Sequence, residues 1–124
     1  MSNPLFIKNV LAGAVISPFR ILKFSAADTV IMGAAATDNL MGVSNEVGAA
    51  SGERQDMILE GIAFVEASAA FALGAPITSD ATGRAVTAAP GAGVNNRIIG
   101  FAYEAAAATG DVVRVFLTPS FMQG

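Results

Sequence analysis

Carboxylates are the only side chains in this sequence whose type and spacing could support acid–base or metal chemistry. The chain contains neither histidine nor cysteine, which removes the usual general base near pH 7, thiol nucleophiles and the commonest metal ligands. Glu60 and Glu66 flank one predicted strand, and their even separation would place both on one face as a paired acid site. A solvated strand face is the explanation that we favour for the pair. We therefore predict no catalytic residues.

The other motifs that carry chemistry are absent or have structural explanations. The sequence holds no GxxxxGK[ST] loop for phosphate and no DxDxDG-like loop for calcium. Glu46 and Glu104 each precede a loop, where a carboxylate usually accepts hydrogen bonds from backbone amides. We predict no cofactor and no metal site.

The charge pattern argues against nucleic acid and membrane as partners. Seven basic residues are scattered along a chain of net charge −3, whereas nucleic-acid binding requires clustered Lys and Arg to neutralise phosphates. No run of eighteen apolar residues could form a spanning helix. Only 14% of the residues are charged, against about a quarter in ordinary soluble domains. Part of the surface is therefore expected to be buried against further copies or a large partner.

The apolar pattern predicts a small all-β domain. Apolar residues come in short runs separated by Gly, Pro, Asn, Asp and Ser, which is typical of strands and turns. The predicted strands are Arg20–Ser25, Thr29–Gly33, Gln55–Glu60, Ile62–Glu66, Arg97–Tyr103 and Asp111–Leu117. The segment Pro76–Thr87 predicts a hairpin around Asp80 and Gly83. The aromatic side chains expected in the core are Phe64, Phe71, Phe101 and Phe116. The expected architecture is one of bent ribbons, either β-clip-like, β-tulip-like or a small barrel.

An internal repeat is the most informative pattern in the chain. A shift of 58 positions places Leu40–Leu59 on Ile98–Leu117 without a gap. The matched positions include Gly42 with Gly100, Glu46 with Glu104, and Gly52 with Gly110. The first glycine pair lies inside strands, where glycine marks a bulge, a bend or a close backbone approach. The last pair lies where a loop turns back into a strand and positive φ is favoured. Coincidence in an Ala- and Gly-rich chain is the alternative explanation.

The terminal segments are the candidate contact regions. Residues 1–19 are predicted to form an N-terminal arm, and residues 20–124 the β domain with repeat units near 40–59 and 98–117. The apolar arm would add a strand to a neighbour's sheet edge or form the first strand of its own domain, and both alternatives stay open. The candidate partner-contact residues are Pro4, Leu5, Phe6, Ile7, Lys8, Phe19 and Phe121.

The chain resembles the capsid decoration (cement, or head-stabilising) proteins of tailed bacteriophages. The resemblance is carried by the order of small residues in Ile98–Leu117, by the hairpin Pro76–Thr87 and by the segment around Gly61. The resemblance covers Asp38 to Thr118. It implies a β-rich homotrimer that binds the major capsid protein at threefold and quasi-threefold positions and stabilises the shell. It also implies synthesis in the host cytoplasm, a location on the outer capsid surface, and an N-terminal contact matching Pro4–Lys8. The alternatives are another minor virion component, such as a fibre or head accessory protein, or a non-catalytic ligand-binding β module.

Overall fold

Alternating aliphatic residues draw most of this chain into strands. In the computed structural model, which describes residues 3–124 and their side chains from Phe6 onward, nine strands form one continuous sheet. The strands are β1 (Asn3–Ala12), β2 (Ile21–Ala26), β3 (Thr29–Met32), β4 (Leu40–Ser44), β5 (Arg54–Glu66), β6 (Pro76–Ser79), β7 (Ala85–Thr87), β8 (Asn95–Ala102) and β9 (Val112–Gln123). Residues 3–124 contain no helix long and apolar enough to cross a membrane. The prediction of an all-β fold is confirmed.

The strand order closes two five-stranded barrels that share β5. The sheet runs β1-β3-β2-β4-β5-β9-β8-β6-β7, and β1 pairs with β5 as well. The first barrel therefore consists of β1, β3, β2, β4 and β5. The second consists of β5, β9, β8, β6 and β7, and a parallel bridge from Ala67, just after β5, to Ala85 in β7 completes it. Of the expected architectures, the small barrel is the one that the chain adopts.

Each barrel has an aliphatic interior. In the first barrel the buried side chains are Val10, Ala12, Ile16, Leu22, Val30, Ala49 and Met57. A larger cluster fills the second barrel and continues into the seam between the two, with Ala63, Val65, Phe71, Ile77, Ile99, Val113, Val115 and Leu117 among its members. Because β5 contributes to both interiors, the two barrels form one folding unit.

The two barrels are structural copies of each other. Leu22 pairs with Met32 in the first barrel, and Ile77 pairs with Thr87 at positions 55 residues later. Beyond β7 the offset becomes 58, because segment 89–97 is three residues longer than segment 34–39. With this offset, the pairs Val43–Ile58 and Phe101–Phe116 coincide. The register confirms the internal repeat and shows that it is the second half of a duplication spanning nearly the whole chain.

The N-terminal segment belongs to the first barrel. Antiparallel pairing of β1 with β5 runs from Asn3–Ile62 to Leu11–Arg54, and Val10, Ala12 and Ile16 are buried. The division into an arm over residues 1–19 and a domain over residues 20–124 is therefore corrected from residue 3 onward, while residues 1 and 2 lie outside the described part. The physical reason is that β1 closes the barrel and its alternate apolar residues fill the interior.

β5 is one strand where the sequence predicted two. Gly61 interrupts the apolar pattern, but its backbone has φ of +95° and joins the two halves into the thirteen-residue strand Arg54–Glu66. The hairpin prediction is confirmed by β6 and β7. In its turn the Asp80 carboxylate accepts hydrogen bonds from the amides of Thr82 at 2.8 Å and Arg84 at 2.9 Å.

The prediction of an aromatic core is wrong for two of its four members. Phe71 is buried, and Phe64 is half-buried. Phe101 and Phe116 are exposed on the outside of the second barrel. The reason is strand alternation: Val113, Val115 and Leu117 occupy the inward positions of β9, so Phe116 between them must point outward.

Candidate interaction surfaces

The repeated glycines have backbone functions. A Cβ at Gly42 would lie 2.7 Å from the carbonyl oxygen of Ile58, and a Cβ at Gly100 would overlap the carbonyl oxygen of Phe116. Gly52 and Gly110 have φ of +88° and +92°. These positions admit the close strand crossing and the loop return.

The carboxylate that follows each turn glycine organises the loop before it. Glu53 accepts a hydrogen bond from the Ala50 amide at 2.7 Å. In the equivalent loop, Asp111 accepts from the amides of Ala107 at 2.9 Å and Ala108 at 3.1 Å. These acids satisfy backbone donors, which explains why the repeat preserves a glycine followed by an acid.

Glu60 and Glu66 do not form a joint acidic site. Their separation of six positions along β5 corresponds to about 20 Å of strand. Glu66 lies 3.6 Å from both Arg20 and Arg84 as an ion pair, whereas Glu60 borders a surface groove. Among the described residues, no group of three or more Asp or Glu side chains could hold a metal ion.

An apolar row crosses the outside of the second barrel. Cross-strand pairing aligns Ile62 of β5 with Phe116 of β9, Phe116 with Phe101 of β8, and Phe101 with Pro76 of β6. Phe116 is 48% exposed and Phe101 is 41% exposed. We name Ile62, Phe116, Phe101 and Pro76 the outer row.

The charges beside the outer row neutralise one another. The Arg114 guanidinium lies 5.2 Å from the centre of the Tyr103 ring and 3.4 Å from the Glu104 carboxylate. The hydrogen bond from the Arg114 amide to Glu104, together with that from its guanidinium, holds the pKa of Glu104 below its usual value. The outer row therefore has an aromatic, electrically balanced border that permits apolar contact.

A second apolar surface opens at one end of the first barrel. The groove is lined by Phe6, Lys8, Phe24, Met41, Met57, Leu59, Glu60 and Pro119 and has a volume of about 380 Å³. Lys8 and Leu59 share the strand parity of the interior residues Val10 and Met57. The groove is thus the uncapped mouth of the first barrel, and we name it the mouth groove.

The structure brings only some of the predicted contact residues together. Phe6 and Lys8 line the mouth groove. Phe121 is exposed near the end of β9 and borders a neighbouring depression that shares Met41 and Pro119 with that groove. Ile7 and Phe19 lie elsewhere.

Ile7 and Phe19 have different surroundings. Ile7 is exposed on β1 but has the outward strand parity opposite to Phe6 and Lys8. Phe19 is half-buried, and its ring packs edge-on against Phe64 at a centroid distance of 6.3 Å. The side chains of Pro4 and Leu5 lie outside the described part of the chain.

Sequence reasoning missed most of both surfaces. Phe24 and Met41 in the groove were not singled out, and Phe101 and Phe116 were assigned to the core. The alternation within β9 did carry a signal, because Phe116 falls on the same face as Arg114. A face shared by an aromatic residue and a charge is rarely the interior of a small barrel.

The fold is shared with a protein of known structure. The chain is similar to the head fiber gp8.5 N base of bacteriophage phi29, with a TM-score of 0.70 and 19% identity over 96% of this chain and 98% of that one. No curated protein sequence matches significantly. Residues 12–117 match the family model described as phage cement protein. The chain is thus a structural protein of a phage virion. It belongs to the phage cement protein family.

Proposed function

We propose that this protein binds the outer surface of a phage capsid as a homotrimer, at threefold and quasi-threefold positions, and stabilises the shell against internal pressure. The observation that carries the proposal is the set of large aromatic side chains left at the surface. Phe6, Phe101, Phe116 and Phe121 are between 41% and 67% exposed. Contiguous exposed apolar surface in a small soluble domain marks a binding surface.

The protein acts by contact and carries out no reaction. Its family consists of structural proteins, and Glu66, one of the two candidate acids, is held by arginines. Three copies in one assembly engage the capsid together, so weak individual contacts combine through high effective concentration. The major capsid protein is the proposed partner, and neither nucleic acid nor membrane is required. The protein is made in the host cytoplasm and joins the outside of the shell.

The proposed capsid contact involves the exposed ends of β1 and β9. Ile7 and Phe121 are exposed and lie in the terminal strands, and Pro4 and Leu5 stand three and two positions before Ile7 in the sequence. Phe19 is less suited to contact the capsid, because its ring already packs against Phe64 within the chain.

Capsid binding tests this proposal directly. Expanded shells assembled from the major capsid protein of the same phage are incubated with wild-type protein, with Phe121→Ser and with Val15→Ser as a control. Both substituted side chains are highly exposed, at 67% and 64%, so neither change should unfold the domain. We expect Phe121→Ser to weaken binding about tenfold, as loss of one aromatic anchor would do. The control should bind normally, and bound wild-type protein should raise the temperature at which shells rupture.

Electron microscopy of the decorated shells determines where the protein is attached. Density at threefold and quasi-threefold positions is the expected result. Failure of the wild type to bind, or density only inside the shell, would refute the proposal.

A second candidate function is that of a fibre base on the head. It is favoured by the similarity to the head fiber N base, which covers nearly the whole of both chains. Micrographs of intact virions separate the two functions. A fibre base occupies the root of a projecting fibre, whereas a cement protein is spread over the shell.

A further inference from the structure

The junction between the two barrels shows how an outer row is covered. The residues of the first barrel that correspond to the outer row are Ile58, Val43 and Ile21, together with Ile7 at the margin. Ile21, Val43 and Ile58 are almost fully buried and belong to the same cluster as Ile99 and Leu117 of the second barrel. The second barrel therefore covers the row of the first.

Backbone contacts fix this junction. The Ile21 amide donates a hydrogen bond to the carbonyl oxygen of Gly83 in the β6–β7 turn at 2.7 Å. A Cβ at Gly33 would lie 2.6 Å from the hydroxyl of Ser79, which shows how closely β6 approaches the first barrel. The end of the second barrel that carries Ser79 and Ile99 thus rests on the first barrel.

Two surfaces meet at the junction, the groove end of one barrel and the row of the other. Because of the duplication, each surface occurs twice in the chain, and one occurrence of each is uncovered. The covering end of the second barrel includes Ala63, Ser79, Ile99 and Leu117, and all four are buried. Their counterparts in the first barrel are Lys8, Phe24, Met41 and Leu59, and all four line the open mouth groove. At the other end of the molecule, the outer row of the second barrel has no barrel resting on it among the described residues.

We propose that the mouth groove of one copy receives the outer row of a second copy, so that the junction inside each chain is repeated between chains. The occupant is another copy because, within the chain, the equivalent groove-end surface already packs against the equivalent row. Both surfaces are apolar, with Phe24, Met41 and Leu59 on one and Phe101 and Phe116 on the other. The inference rests on the self-association in the proposed function and specifies its contact.

This contact is head-to-tail, because the two surfaces that meet are different. Head-to-tail contacts generate closed rings when the rotation closes, and a ring of three satisfies the proposed trimer. One feature distinguishes it from the internal junction. Pro76 occupies the position of Ile21 and has no amide to donate. The contact between chains therefore depends more on side chains than the internal one does.

Two complementary variants test the proposal. Phe116→Asp places a charge in the outer row and leaves the groove intact, whereas Phe24→Asp does the reverse. Val47→Asp, on a loop residue that is 63% exposed, is the control. Molar mass from light scattering should equal three chains for wild type and control, and one chain of 12.5 kDa for each of the two variants alone. An equimolar mixture of the two variants should form a dimer, because one intact groove meets one intact row.

The molar mass of the equimolar mixture tests the head-to-tail contact separately from the trimer. Variants that keep the wild-type mass, or a mixture that stays monomeric, would overturn the head-to-tail contact while leaving capsid binding to be measured separately. A monomeric wild type would overturn the trimer of the proposed function as well. Circular dichroism verifies folding. If either variant unfolds, Phe101→Asp and Met41→Asp form the second pair, with the same expected masses.

Discussion

The first and second barrels have the same strand order and register, yet they handle their turns differently. Phe19 and Asp28 in the first barrel have φ of 59° and 54°, and the equivalent positions in the second are Gly74 and Gly83, at 84° and 78°. Positive φ costs an ordinary residue roughly 1–2 kcal/mol and costs glycine almost nothing. The first barrel therefore tolerates local strain that the second avoids, which shows that the register and not the turn residue defines the architecture.

The barrels also differ in the polarity of two buried positions. Gln55 and Ser44 in the first barrel correspond to Val113 and Ala102 in the second. The Gln55 side-chain amide donates to the carbonyl oxygen of Asp56 at 2.8 Å, and the Ser44 hydroxyl donates to that of Ser17 at 2.8 Å. Buried polar groups require such partners. At these two positions the first barrel has hydrogen-bonded polar side chains, whereas the second has apolar side chains.

The largest expected effect comes from the close strand crossing. Gly100→Ala would drive a methyl group into the carbonyl of Phe116, whereas the methyl group of Gly42→Ala meets the flexible Met57 side chain as well as the Ile58 carbonyl. We expect Gly100→Ala to lower the free energy of unfolding by about 4 kcal/mol and Gly42→Ala by about 2–3 kcal/mol, since overpacking against backbone relaxes poorly. Urea denaturation measures both. Equal, small effects would contradict the proposed close approach.

The second-largest expected effect is the difference in stability loss between the buried row of the first barrel and the open outer row of the second. Ile58→Ala removes buried side-chain volume at the seam and should cost about 3 kcal/mol. Phe116→Ala, at the equivalent open position, should cost the isolated chain less than about 1 kcal/mol, as surface changes do. The comparison is made by thermal unfolding at a concentration where the protein is monomeric. A large loss for Phe116→Ala there would mean that the ring supports the fold itself.

The paired turns should give a smaller loss of stability in the second barrel and almost none in the first. Gly83→Ala adds strain at φ of +78° and brings a Cβ within 2.9 Å of the Ile21 carbonyl. It should cost about 2 kcal/mol, whereas Asp28→Gly should change stability by no more than about 0.5 kcal/mol, because relief of strain offsets added chain entropy. Chemical denaturation of both variants against wild type provides the measurement. Strong destabilisation by Asp28→Gly would mean that this side chain does more than occupy the turn.

The last expected effect concerns a loop that the second barrel does not reproduce. Asp38 accepts hydrogen bonds from Lys23 and from the amides of Ala34 and Ala35, each at 2.9 Å. Segment 89–97 holds no carboxylate. Asp38→Ala should cost about 1–2 kcal/mol near pH 7, since a charge-assisted hydrogen bond is lost. Lys23→Met is the matched control for the ion pair alone and should cost less.

Acid should remove the contribution of Asp38. Burial raises the pKa of Asp38, but the hydrogen bond from Lys23 and the two amides outweigh it and hold the pKa below 3.8. A carboxyl with a lowered folded-state pKa stabilises the fold above its unfolded value and loses that contribution as pH falls through the folded value. The gap between wild type and Asp38→Ala should therefore be constant well above the unfolded-state pKa of Asp38 and shrink as the pH falls through its lowered folded-state pKa. A gap that widens in acid would contradict this assignment.

Local patterns in the sequence were sufficient for most of the strands and for the β6–β7 hairpin, and they indicated the repeat of residues 40–59. They were insufficient for the first half of the duplication, because equivalent positions there differ chemically: Phe19 matches Gly74, and Lys8 matches Ala63. Sequence similarity cannot reveal positions that share only backbone register. The open surfaces were missed for a related reason. Whether Phe116 or Ile58 is covered depends on which barrel rests on it, and that is settled by tertiary structure.

The shared strand β5 also determines how this protein would respond to mechanical load. Its first half is bonded to β1, the strand nearest one end of the chain, and its second half to β9, the strand nearest the other. A force applied at the two ends of the molecule therefore acts on β1 and β9, which are both hydrogen-bonded to β5. Because both barrels include β5, neither can unfold without removing a strand from the other. Under force, the two barrels are therefore expected to unfold together in a single step.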